Sequence, residues 1–264
     1  MKTTIVAALA ASLAFAGAAQ AAPLLFDQNV TPDVIFGSGN ANGGFTVDRS
    51  NGVEIGLRAK VRFNASNLPE NTFNSNGAGT YSFDTGAPSP GFGFAPNNPQ
   101  AAKWNFEWSI NSGFDGSGRA LDDLDYLFAI DGDPGAGTRV DVLFDPINSF
   151  TVADHAIGNN TTGNGGGSKA TDEASYSALI ESNNVAQNSV NFLFLVGLLP
   201  QLSSFDPNER GLYTITLSAF AKGTSTLLAS STINVQVGAV PLPATLPLLL
   251  GALGAVAFIR RKRA

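Results

Sequence analysis

The chain has no cysteine, one histidine, one methionine and two tryptophans in 264 residues. Without cysteine there is no disulfide framework and no thiolate nucleophile. A single histidine, His155, excludes a multi-histidine metal site and leaves at most one candidate for a serine–histidine–aspartate arrangement. No G-x-S-x-G motif accompanies it, so Asp154-His155 reads as a structural pair in a loop. Basic residues are also scarce, at 15 against 21 acidic ones. Helix-like periodicity is nearly absent, whereas glycine, asparagine and serine are abundant and phenylalanine is the main aromatic. This is the composition of a loop-rich β-protein.

The two ends read as processing segments. Met1-Lys2 is a minimal positive region, Ile5 to Ala18 is apolar, and Ala19-Gln20-Ala21 is an A-x-A cleavage site. Residues 1–21 are therefore expected to be a signal peptide cut after Ala21. At the other end stand Val240, Pro241, Leu242, Pro243 and Ala244, then an apolar run to Ile259, then Arg260, Arg261, Lys262 and Arg263. The run 244–259 spans roughly 24 Å as a helix. That is slightly short of a bilayer core of about 30 Å, a gap that flanking residues and snorkelling arginines close. The positive-inside rule places the basic cluster in the cytoplasm and the preceding domain outside.

The order of proline motif, apolar segment and basic cluster resembles the VPLPA variety of the PEP-CTERM sorting tails of exported Gram-negative proteins. The resemblance implies handling by a membrane-embedded exosortase, a transmembrane helix at 244–259 before processing, and delivery to the cell surface or beyond. It implies nothing about an activity.

Residues 22–239 remain as one exported domain. Five of the fifteen basic residues and none of the acids lie in the two ends, leaving ten basic against twenty-one acidic residues, a formal net charge of −11. Such a surface does not suit nucleic acid. It suits divalent cations, or solubility outside the cell.

Several segments alternate with the period of a half-buried strand. Val53 to Phe63 is the clearest, with apolar odd positions and Arg58, Lys60 and Arg62 on the other face. Phe45 to Asp48 precedes it across an Asn51-Gly52 hairpin turn. Thr80 to Phe83, with a partner near Phe73, Trp104 to Ile110, Leu124 to Ile130, Arg139 to Phe144, Leu212 to Phe220 and Ser230 to Val237 follow. Val190 to Leu199 is an apolar run of strand-like length. One helix is expected over 172–183, capped by Thr171. The motif Phe205 to Tyr213 resembles the tyrosine corner of immunoglobulin-like sandwiches, in which the hydroxyl bonds back to the upstream backbone. The fold expected is a mainly β, antiparallel immunoglobulin-like or jelly-roll sandwich with one short helical insertion.

Four groups of residues are candidates for chemistry. The segment Asp115 to Asp145 is rich in aspartate and glycine, which supply the hard oxygens calcium takes. Asp131 and Asp133 are the first choice of ligands, although the spacing is not that of an EF-hand. The other reading of the same residues is a set of turn-forming aspartates. Trp104, Phe106 and Trp108 share one strand face, either as sandwich core or as a stacking platform for sugars. Glu107, on the opposite face, has the chemistry of one half of a glycosidase dyad but no evident partner. Arg58, Lys60 and Arg62 suit either a solvated face or contact with an acidic polysaccharide.

The segments Val34 to Asn40 and Asp154 to Asn160 resemble exported proteins that carry the same tail and have no assigned activity. The expectation is a non-enzymatic cell-surface or extracellular-matrix protein associated with exopolysaccharide or biofilm, with no cofactor beyond calcium. A carbohydrate-binding module or adhesin is the alternative, and a polysaccharide-active enzyme the third reading.

Overall fold

The computed structural model describes residues 23–35, 40–88, 101–135, 137, 139–149, 154–199, 202 and 205–238. The cleavage site with Ala19 and Ala21, the motif Val240 to Ala244, the apolar run 244–259 and the basic residues 260–263 lie outside them. Among the described residues no helix is long and apolar enough to cross a membrane.

The described residues form eleven strands in two sheets. One sheet contains β1 (Leu25–Gln28), β2 (Phe45–Ser50), β3 (Val53–Val61), β5 (Trp104–Asn111), β8 (Ala156–Gly158) and β9 (Val185–Val190), in the order β1-β2-β3-β5-β9-β8. Every pairing in it is antiparallel. The other contains β4 (Thr80–Phe83), β6 (Leu124–Asp131), β7 (Val142–Phe144), β10 (Gly211–Ala221) and β11 (Leu227–Val237), in the order β4-β11-β10-β6-β7. It is mixed, because β4 runs parallel to β11.

The sheets face each other across one apolar core. Ile55, Leu57 and Ala59 on β3 stand opposite Ile110, Trp108 and Phe106 on β5. These side chains meet Phe128, Ile130, Ile215, Leu217, Ile233 and Val235 of the second sheet. The ring of Phe106 lies 5.8 Å from that of Phe128, edge to face. Asn51 and Gly52 join β2 to β3 with φ of 52° and 77°, the left-handed pair that an Asn-Gly hairpin turn requires.

Tyr213 holds the corner expected of it. Its ring is buried, and its hydroxyl donates to the carbonyl oxygens of Glu209 at 2.8 Å and Asp206 at 3.1 Å. The helix α1 (Glu173–Ser182) forms where expected and buries Tyr176 and Ile180. Its cap is Asp172 rather than Thr171. The Asp172 carboxylate accepts from the Ser175 amide at 2.7 Å, while Ser175 Oγ accepts from the Asp172 amide at 3.0 Å.

Three local expectations are corrected. The apolar run after Val190 is not a strand but a second helix, α2 (Phe192–Leu198). Asn191 caps it by accepting from the Leu193 amide, and Phe192 and Leu195, one turn apart, point into the core. Strand pairing after Arg139 is confined to Val142–Phe144. The principal neighbour of β4 is β11, while the chain near Phe73 contributes only a bridge from Ser75 to Tyr81.

The largest departure is the second face of the first sheet. Alternation in β3 suggests one face in water, yet Glu54, Arg58 and Lys60 are buried, as are Asn105, Glu107, Ser109 and Asn111 on β5. Residues 29–35 and 40–44 pass across this face as a strap. They have no repeating apolar pattern, so the sheet's polar row supplies the bonds their backbone needs. Gln187 accepts from the amides of Val34 and Ile35 and donates to the carbonyl of Pro32. Glu54 accepts from Thr31, and Asn111 donates to its carbonyl. Gly56 is the gap in the row that admits the strap. A Cβ there would come within 2.8 Å of Val30 Cγ1.

Candidate functional site

The most strongly built polar site lies under this strap. Arg58 and Glu107 are direct partners across β3 and β5. Arg58 Nε donates to Glu107 Oε2 at 2.6 Å, and a second guanidinium nitrogen of Arg58 pairs with the same oxygen. Lys60 Nζ stands 2.7 Å from Glu107 Oε1 and donates to Asn40 Oδ1 at 2.5 Å. The side chains of Arg58, Glu107 and Lys60 are 0%, 1% and 2% exposed. Arg58 also donates to the carbonyls of Ala41 and Gly43. Its guanidinium carbon lies 4.1 Å from the ring centre of Phe45 and 4.6 Å from that of Phe73, so two aromatic faces share the charge.

The electrostatics follow from this packing. Burial alone would raise the Glu107 carboxyl, but Arg58 and Lys60 more than offset it, with a hydrogen bond from Ser189, and hold it below its ordinary value. Burial pulls the Lys60 ammonium down; Glu107 opposes this, while Arg58 and Arg62 add to it. Glu107 is therefore a carboxylate clamped by two cations and shielded from water. That is the opposite of a glycosidase general acid, which is accessible and has a raised pKa. The solvated role expected of Arg58 and Lys60 is corrected too.

His155 is buried in a second site. It stacks edge-on against Trp108 at 4.8 Å between ring centres. Burial lowers its pKa to about 4, so it is neutral at pH 7. Its Nε2 donates to the Pro146 carbonyl at 2.7 Å, and its Nδ1 accepts from Asn188 at 3.3 Å. Both ring nitrogens are committed. The Asp154 side chain is largely exposed and pairs with Lys169. Among the described residues no triad is assembled at this histidine. Beside it opens an apolar cavity of about 270 Å³ lined by Phe106, Phe128, Phe144, Leu195 and Leu198 among others.

The aspartates chosen from the sequence take different roles. Asp131 is buried, and its two oxygens accept from the amides of Asp133 and Arg139 at 3.0 and 2.8 Å, which shapes the loop between β6 and β7. Asp133 accepts from the Gly135 amide and lines a polar cavity of about 220 Å³ with Asp141, Asp206 and Glu209. Asp206 and Glu209 come from the segment that leads into β10, the neighbour of β6 in the second sheet, and no local spacing links them to Asp133. Among the described residues, no group of three or more histidine or acidic side chains has metal-holding geometry.

The aromatic strand is core. Trp104, Phe106 and Trp108 are at most 2% exposed, and the Trp104 indole donates to the Pro207 carbonyl at 3.1 Å. They offer no platform for a sugar. A polar-lined cavity of about 560 Å³ lies instead near the end of β11. Asn64, Asn67, Glu70, Asn74, Asp84 and Lys103 line it, together with Phe63 and Phe83.

No protein-family model matches the chain, and neither a curated protein nor a solved structure matches it.

Proposed function

We propose that this is a non-enzymatic cell-surface or extracellular-matrix protein, exported through its signal peptide and sorted through residues 240–264, in association with exopolysaccharide or biofilm. The observation that carries the reading is the tail itself, with Pro241 and Pro243, the apolar run 244–259 and the four basic residues Arg260 to Arg263 in one order. Its partners are an exosortase-type enzyme and, before processing, the membrane. Basic residues on the cytoplasmic side set the orientation. The acidic composition of 22–239 suits a soluble body outside the cell. The body is read as an immunoglobulin-like or jelly-roll sandwich, which the corner at Tyr213 supports. Deleting 240–264 is expected to release the protein into periplasm or medium, and unchanged fractionation would contradict the reading.

A carbohydrate-binding module is the second reading, favoured by one observation. The 560 Å³ cleft gathers amides and carboxylates, the donors and acceptors that sugar hydroxyls need, beside Phe63 and Phe83. Sedimentation of the protein with extracted exopolysaccharide tests it. Binding that Asn67→Ala with Asn74→Ala abolishes supports this reading, and no co-sedimentation removes it.

A further inference from the structure

We propose that Lys60 and Asn40 become joined by an amide bond between their side chains, formed within the folded protein with Glu107 as the proton relay. Three groups of matching chemistry meet at one point. Lys60 supplies an amine nucleophile, Asn40 a carboxamide electrophile, and Glu107 a carboxylate in contact with that amine. Lys60 Nζ is 2.5 Å from Asn40 Oδ1 and 2.7 Å from Glu107 Oε1. A carbonyl bond is ~1.23 Å long, so the nitrogen is at most ~3.7 Å from the Asn40 carbonyl carbon, within reach of attack.

The surroundings favour the reaction. Lys60 and Glu107 are shielded from water, so an amide formed there is protected from hydrolysis. Holding the Lys60 charge away from water is costly, and acylating Lys60 removes that cost while Arg58 keeps its pairing with Glu107. Burial also favours the neutral amine, the form that attacks.

The step balances without any outside reagent. The Lys60 ammonium passes a proton to the Glu107 carboxylate. Neutral Nζ attacks the Asn40 carbonyl carbon, and a nitrogen–carbon bond forms. Glu107 returns its proton to Asn40 Nδ2 and takes the second proton from Nζ. The bond from the carbonyl carbon to Nδ2 breaks, its electron pair leaves with the nitrogen, and ammonia departs with the proton from Glu107 as ammonium. Nothing is oxidised or reduced. The product ties the strap to β3 by a covalent link in a chain that has no cysteine for a disulfide.

Tryptic mapping of the full chain by mass spectrometry tests the proposal. Trypsin does not cut after an acylated lysine. The expected species is therefore a branched peptide, Ala59–Arg62 joined through Lys60 to the peptide that ends at Arg49. It should be lighter than the two together by one ammonia. Asn40→Ala, at a partly exposed position, and Glu107→Gln should each return three linear peptides, the one that ends at Arg49, Ala59–Lys60 and Val61–Arg62, because trypsin then cuts after Lys60. Linear peptides alone from the unmodified chain would overturn the bond. Ammonia loss confined to the linear peptide that ends at Arg49 would also overturn it, because that is an internal imide. A branched peptide undiminished in Glu107→Gln would overturn the relay.

Discussion

Arg58 and Glu107 face each other across adjacent strands and pair on the side of the sheet turned away from the sandwich core, at 2.6 Å and out of contact with water. Two consequences follow. The strap is locked by charge as well as by backbone bonds, and removal of either partner strands the other. Glu107→Ala is expected to lower stability by about 3–5 kcal/mol, the usual cost of breaking a buried pair. Arg58→Met with Glu107→Leu should recover only the part that Arg58 accounts for, because Lys60 still loses its carboxylate. Urea unfolding of the single and double variants checks it, and a loss below about 1 kcal/mol in Glu107→Ala would remove the pair from the account.

Tyr213→Phe removes the hydroxyl that bonds to Asp206 and Glu209 and leaves the ring in place. The expected loss is about 1–1.5 kcal/mol by urea unfolding, typical of a hydrogen bond whose carbonyl partners lose their donor. An unchanged midpoint would show that the corner contributes no stability.

His155 predicts a pH dependence of definite sign. Its folded pKa, about 4, lies below the ordinary 6.5, so the unfolded chain takes up a proton first as pH falls. Its stabilising effect is complete above about pH 6.5 and is lost progressively down to about pH 4. Between pH 7 and pH 5 the loss should be about 2 kcal/mol. His155→Gln should lose less over the same interval, and identical slopes for the two proteins would refute the assignment.

Much of the fold was legible because β3, β5, β10 and β11 alternate cleanly and their apolar faces meet. The motif around Tyr213 was legible because its spacing is local. The helix after Asn191 was not, since Phe192 to Leu198 is apolar throughout and such a run has no period to read. The buried outer face was not legible either. Alternation shows that two faces differ, but does not show that both are covered. The signal was present in a weaker form: Arg58 and Lys60 share one strand face, Glu107 carries the opposite charge on the matching face of β5, and Gly56 interrupts the row where the strap comes close. Asn40 lies too far along the chain from Lys60 and Glu107 for any spacing rule to join them.

Calcium gives a further test. Asp133 shares its cavity with Asp141, Asp206 and Glu209, while Asp131 fixes the adjoining loop. A weak extracellular-type site at ten times its dissociation constant stabilises by roughly 1.4 kcal/mol. These side chains do not stand in metal-holding geometry, so the calcium site we propose requires them to close on the ion; the melting temperature then rises by a few degrees in millimolar calcium over magnesium at equal ionic strength. Asp131→Asn with Asp133→Asn should abolish the difference. Equal melting temperatures in the two ions, or a shift that survives both substitutions, would end the proposal.

The central claim is that residues 240–264 send the protein to the cell surface, and transplanting them tests it most directly. An unrelated exported reporter carrying 240–264 at its C-terminus should appear in the surface fraction of a host with the matching exosortase. The same reporter with Pro241→Ala and Pro243→Ala should be retained in the membrane fraction. A reporter that stays in the periplasm with the intact tail, or reaches the surface equally well without the prolines, would contradict the account.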